Sequence, residues 1–391
     1  MCWFFGVNMN IRKVLFWAHL LLGCSAAIFV FLMSITGVAL TYERQMIKMA
    51  EQADYPITPT SRSKALPMAD FVYIAKQYKT KITAEIVFLN EQGAPVMIKD
   101  GRKTIAYLNP FTAQEMERPG EAIVIFLGKL RAFHRWLTLD GKFSESGRWV
   151  NGLANTIFII LTLTGLYLWL PKRFNTRAFK QKFVLSGNYQ TKTVRNYQWH
   201  NVFGFYVMPV LLVVIVTAVF FSFKWPGQTL KQYVSTEAVS LPEPTKLPAN
   251  IAEQILPIDH QINIVKEHIP QWQNIRFTLN KYSTDLQLFS IDSGNGGEPQ
   301  KRMSLALDTI NGTIIQEQRF EQLSNYQKLR SYIRFLHTGE AFGLIGQTLA
   351  GLASLIACLL VYTGIMLSWR RWINSRENSN LNMPRSANNI N

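Results

Sequence analysis

The chain has 391 residues, 48% of them hydrophobic, with a formal net charge of +16 and only three cysteines. Its apolar residues stand in long blocks, which excludes a soluble protein of one or two ordinary domains. Cys2, Cys24 and Cys358 are too few and too scattered for a disulfide framework, and without a Cys-x-x-Cys-His sequence covalent c-type haem attachment is excluded.

Four runs, residues 14–40, 149–170, 202–223 and 341–369, hold no Asp, Glu, Lys or Arg. Each is long enough to cross about 30 Å of hydrocarbon, which takes about 20 helical residues. The first run exceeds the roughly 7–15 residues of a signal-peptide core. Thr41-Tyr42-Glu43-Arg44 also lacks a small-x-small cleavage pattern, so this run is expected to remain as a transmembrane helix. The segment 41–128 follows, with a helical apolar pattern over 68–78 and strand-like runs at 82–89, 95–98 and 104–108. Gly93 and Asp100-Gly101 mark its turns. After the second span comes a short loop, 171–199. The third span leads into a second long segment, 224–330, with a helical pattern over 260–269 that ends at Pro270. Strand-like runs follow at 274–279, 285–291 and 303–307, and a Gly-rich turn lies at 293–297. The tail 370–391 closes the chain.

The basic charge has a definite place. Arg12 and Lys13 precede the first span. The loop 171–199 holds Lys172, Arg173, Arg177, Lys180, Lys182, Lys192 and Arg195 with no acid, and the tail holds Arg370, Arg371, Arg376 and Arg385 against Glu377. Together these segments carry +12 of the +16. Short Lys/Arg-rich segments stay in the cytoplasm while long loops translocate largely regardless of charge. Both termini and the loop 171–199 are therefore expected inside, and the two long segments outside. The charge is a topology signal directed at membrane lipid, and no nucleic-acid partner is expected.

The alternation of span, long segment and span occurs twice. His19 is followed by Gly23 and, seventeen residues on, by Thr36-Gly37; His200 is followed by Gly204 and, seventeen residues on, by Thr217-Ala218. Spans two and four match as Leu163-Thr164-Gly165 and Tyr362-Thr363-Gly364. An internal two-fold repeat is expected.

Four of the six histidines stand at span margins: His19 and His200 at the inner face, His134 and His337 at the outer. Two imidazoles per leaflet suit axial ligation of a haem iron between facing helices. A site with both axial positions filled carries single electrons, and two sites stacked across the bilayer make a wire. The competing reading is that an interfacial His only hydrogen-bonds to water or a carbonyl. Gly23 and Gly204, one turn from the inner pair, remove volume where a flat macrocycle would approach. Arg131 and Arg334 each stand three residues before an outer His and could meet haem propionates or snorkel to headgroups. The Thr-Gly pairs are assigned to close helix packing, and His260 and His268 to an ordinary surface.

Several stretches together resemble the PepSY-associated transmembrane helix family. They are His19, Phe133-His134-Arg135-Trp136-Leu137, the run Leu163-Thr164-Gly165-Leu166-Tyr167-Leu168-Trp169-Leu170-Pro171-Lys172-Arg173, Trp199-His200 and Leu336-His337. The resemblance covers roughly residues 11–373. It implies a membrane all-α four-helix transmembrane bundle with two small periplasmic α+β (PepSY-like) modules. Asn109-Pro110-Phe111-Thr112-Ala113 and Asp308-Thr309-Ile310-Asn311-Gly312 depart from the D-P-x-T-G-like turn of such modules. The family includes di-haem reductases of the bacterial inner membrane that reduce ferric siderophores in the periplasm. By resemblance His19, His134, His200 and His337 ligate two b-type haems, and the chain is a membrane-bound ferric-siderophore or ferric-chelate reductase for iron uptake. No Gly-rich nucleotide motif follows the fourth span, so the electron donor is expected to be a quinol or a separate cytoplasmic reductase. The alternatives are a non-enzymatic PepSY scaffold or regulator, and a transporter. Against the transporter, the spans carry none of the buried acids or lysines that mark ion coupling.

Overall fold

A computed structural model describes residues 10–56, 65–80, 84–139, 142–171 and 176–381. Cys2, Lys172, Arg173, Arg385 and the first residues of the run 82–89 lie outside the described residues.

Among the described residues four helices are long and apolar enough to cross a membrane, which fits a multi-pass membrane protein. In chain order the first is α1 (Ile11–Ala39), followed by α2 (Glu43–Ala53) and α3 (Met68–Ala75). Strands β1 (Ala84–Leu89), β2 (Val96–Asp100), β3 (Lys103–Leu108) and β4 (Glu115–Met116) come next. Helix α4 (Glu121–Trp136) leads into the second long helix, α5 (Ser144–Trp169), and α6 (Thr176–Phe183) into the third, α7 (Lys192–Ser222). Helices α8 (Trp225–Val234), α9 (Ala249–Ala252) and α10 (Ile258–His268) precede β5 (Asn274–Thr278), β6 (Leu286–Asp292), β7 (Arg302–Asp308) and β8 (Ile314–Arg319). Helix α11 (Asn325–Thr338) then turns into the fourth long helix, α12 (Gly343–Leu381).

Two helix starts differ from the hydropathy pattern. His200 stands at the start of the third apolar run, yet α7 begins earlier, where Thr191 accepts a hydrogen bond from the Val194 amide at 3.2 Å. Thr is a strong N-cap, and the polar first turns of the helix hide its start from a hydropathy count. His200 therefore lies well inside a helix. Helix α11 starts on a Ser324/Gln327 capping box.

In the bundle α1 and α7 each pack against both α5 and α12, so α1 and α7 lie diagonally across from each other. Ala353 and Ala357, one turn apart on α12, bring that helix close to Val207 and Leu211 of α7. Small residues are the usual means of close approach where lipid removes the hydrophobic drive. Helix α4 packs on α1 and α5, and α11 on α7.

The strands of both long segments join in one antiparallel sheet ordered β4-β3-β2-β1-β5-β6-β7-β8. The seam is β1 against β5, with Ile86 opposite Phe277 and Phe88 opposite Ile275. One apolar cluster runs beneath it, from Phe71 and Ala75 of α3 through Ile86 and Ile98 to Ile262 and Val265 of α10, Phe277 and Leu305. Asp259 of α10 accepts from the Met68 and Ala69 amides at 2.6 and 3.1 Å, supplying a carboxylate to the start of α3. Strands β4 and β8 are absent from the sequence pattern. The first is two residues long, and the second is an edge strand whose Gln316, Glu317, Gln318 and Arg319 interrupt apolar alternation.

Candidate functional site

The structure brings the four span-margin histidines together as two pairs. His19 of α1 faces His200 of α7 across the bundle, with ring centroids 6.4 Å apart and planes at 85°. His134, near the end of α4, faces His337, near the end of α11, again at 6.4 Å, with planes at 57°. Along α1 the level of His19 lies about 25 Å from that of Thr36, beside which His134 sits, at 1.5 Å per residue. One pair thus occupies the end of the bundle nearest the sheet and the other occupies the opposite end. Burial holds His134 and His337 below the usual imidazole range, so both rings are neutral at pH 7 and keep a lone pair.

Each ring is held by a threonine on a neighbouring helix. Nδ1 of His19 lies 2.9 Å from Thr164 Oγ1, and Nδ1 of His200 lies 2.9 Å from Thr363 Oγ1. Nδ1 of His134 lies 2.8 Å from Thr36 Oγ1. Nδ1 of His337 lies 2.9 Å from the Val214 carbonyl and 3.3 Å from Thr217 Oγ1. After three of these threonines comes a glycine whose missing side chain makes room for the ring. A Cβ on Gly165 would stand 3.3 Å from His19, on Gly364 3.5 Å from His200, and on Gly37 3.6 Å from His134. The Thr-Gly pairs do serve close packing, but what packs against them is imidazole. Asn151 of α5 adds a further restraint, donating to the His134 carbonyl at 2.6 Å and so tying down the last turn of α4. The sequence marked the four threonines as repeat and packing positions, not as partners of the histidines, and gave no sign of Asn151.

Gly23 and Gly204 face leucines, not the histidines: a Cβ on them would lie 3.7 Å from Leu161 and 3.6 Å from Leu360, ordinary contact in both cases. Arg131 pairs with Glu43 of α2, and Arg44 of the same helix binds Glu340 at 2.7 Å. Burial raises the Glu43 carboxyl above its usual range, against the opposing pull of Arg131 and Arg334. Arg334 lies over the Phe335 ring. These side chains line a cavity of about 570 Å³ between α2, α4 and α11 on one side and the ends of β1 and β5 on the other. His260 is exposed, and His268 pairs with Glu317.

Among the described residues no group of three or more His, Cys, Asp or Glu side chains could hold a metal ion. The arrangement offers two imidazoles, from different helices, opposed at each end of an apolar bundle. The family model described as the PepSY-associated TM region matches residues 16–371. No curated protein matches the chain.

Proposed function

The chain belongs to the PepSY-associated TM region family, and from that membership and its paired imidazoles we propose that it carries electrons across the bacterial inner membrane through two bis-histidine b-type haems, reducing a ferric siderophore or another ferric chelate in the periplasm for iron uptake. The observation that carries this reading is the spacing of the two pairs. A metal held between two imidazole nitrogens at about 2.0–2.1 Å from each would need the rings opposed with room for an ion between them. Both pairs stand at 6.4 Å. A haem would need only two side-chain ligands, which each histidine pair could supply. It would contribute a one-electron couple.

The rest is the work of the chain. His19 with His200, and His134 with His337, hold the two irons. The apolar faces of α1, α5, α7 and α12 exclude water. Arg131 and Arg334 stand one turn from the sheet-side pair and suit carboxylates, whether propionates or an anionic chelate. The distribution of Lys and Arg supports cytoplasmic termini and a periplasmic sheet. The matched wiring, His19 to Thr164 with His134 to Thr36, and His200 to Thr363 with His337 to Thr217, supports descent from a repeated unit. The donor is a quinol or a cytoplasmic reductase.

Purified protein should contain two extractable haems per chain with low-spin spectra in both redox states. His19→Ala and His200→Ala should each remove the same haem, and the double variant no more than either alone; His134→Ala and His337→Ala should do likewise for the other. One haem per chain, or depletion of a single shared site by His19→Ala and His134→Ala, would sink the assignment. Protein without haem would leave a PepSY scaffold or regulator as the better reading.

A further inference from the structure

Building on the di-haem reading, we infer that Thr36, Thr164, Thr217 and Thr363 are positioning residues that fix the tautomer and set the donor strength of the four axial imidazoles, with Thr217 the least influential. The argument begins with the single proton on each hydroxyl. In every case it is directed at the backbone carbonyls three and four residues back in the same helix, the nearer being the one four back: Leu32 at 2.6 Å, Ile160 at 2.7 Å, Val213 at 2.7 Å and Leu359 at 2.8 Å. An oxygen that has spent its proton in this way can only accept from the histidine. Nδ1 therefore carries the imidazole proton, and Nε2 is left as the lone-pair nitrogen. Free imidazole has two tautomers, and this contact selects the one that can bind a metal through Nε2.

The same bond has an electronic effect. An acceptor on Nδ1–H draws the proton outward and raises the basicity of the opposite nitrogen. A more basic axial ligand favours ferric over ferrous iron, because ligand donation and outer hydrogen bonds are the levers by which a protein sets a haem potential. Valine is close to threonine in shape and lacks the hydroxyl, so Thr→Val removes this lever while keeping the packing. The fourth site differs in degree. Backbone carbonyls, of Met33 and Leu360, also stand by His134 and His200, but His337 lies nearer to its carbonyl, Val214 at 2.9 Å, than to its threonine, Thr217 at 3.3 Å, and so keeps its better acceptor when the hydroxyl is lost.

The test uses full-length, haem-loaded protein in lipid nanodiscs, read by spectroelectrochemical titration and haem content. Thr164→Val and Thr363→Val should each raise the midpoint potential of the haem at the His19/His200 end and leave the other unchanged. Thr36→Val should raise the potential of the haem at the sheet end, and haem affinity should fall by about 10- to 100-fold at each altered site. Thr217→Val should shift its haem much less, and Thr→Ser at each position should restore the wild-type potential. On wild-type protein, pulsed EPR of the oxidised form should find an exchangeable proton on the remote nitrogen of every axial imidazole, which tests the tautomer even where a variant does not accumulate. Unmoved potentials in the Val variants, a Thr217→Val shift as large as the others, or a missing remote proton would overturn this inference alone. Wild-type protein that takes up no haem would overturn the reading of function and this inference with it.

Discussion

Of the three glycines beside the rings, Gly165 leaves the least room for a side chain. A methyl there would lie 3.3 Å from His19 Cε1, inside comfortable contact, whereas the equivalent atoms at Gly364 and Gly37 would lie at 3.5 and 3.6 Å. In a helix interior Ala is favoured over Gly by roughly 1 kcal/mol, so the helix itself gains from Gly165→Ala while the ring of His19 must move. The expected result is unchanged or slightly raised thermal stability with a loss of haem at the His19/His200 site, while Gly364→Ala keeps its haem. A full haem complement in Gly165→Ala, measured by pyridine haemochrome against protein, would show that the ring has slack. The histidines were legible in the sequence because polar, ionisable side chains at the edges of apolar runs stand out. Their threonine partners were not. Each contact joins helices far apart in the chain, and a threonine in a membrane span looks the same whether its hydroxyl faces its own backbone or also a neighbour. The visible trace was the repeated Thr-Gly, which packing alone accounts for until the ring beside it is seen.

At the scale of elements, apolar runs located the four long helices but not their ends. Helices α7 and α12 continue through basic and polar residues, because a helix needs capped ends and backbone hydrogen bonds, not hydrophobicity, to persist beyond the membrane. The helical patterns over 68–78 and 260–269 and most strand runs have counterparts in the structure. That the two long segments share one sheet was invisible, since β1 and β5 are separated by two spans, and pairing across such a distance leaves no local signal. The shared sheet has a mechanical consequence. Phe277 is fully buried beside Phe289, in the cluster that also holds Phe71 and Ile86 of the other segment. Phe→Ala in such a core costs about 3–5 kcal/mol. Phe277→Ala should therefore loosen both segments together, and limited proteolysis of membrane vesicles should open cleavage sites in 65–116 as well as in 249–319. Cleavage confined to the second segment would mean that the halves fold independently despite the common seam.

For the whole molecule, the decisive feature is that the two histidine pairs stand at opposite ends of one bundle while the sheet stands at only one of them. Under the proposed function such a chain would be directional: an electron entering at the His19/His200 end would leave beside the sheet, next to the cavity lined by Glu43, Arg44, Arg131 and Arg334. The direction proposed relative to the cell follows from charge placement, which favours a cytoplasmic basic loop and cytoplasmic termini. His337→Ala should then keep the His19/His200 haem reducible from the cytoplasmic side and abolish reduction of a ferric chelate outside. Arg334→Ala should be milder, lowering occupancy of the sheet-side haem or shifting its potential through loss of a charge-assisted hydrogen bond of about 1.5–3 kcal/mol. The measurement is stopped-flow reoxidation by a membrane-impermeant ferric complex, compared between inside-out and right-side-out vesicles. Fast reoxidation only when the sheet faces the complex is the expected outcome. Equal rates from both faces, or full activity in His337→Ala, would remove the vectorial mechanism, because an electron leaving at either end needs neither the second pair nor the asymmetry that the sheet gives the bundle.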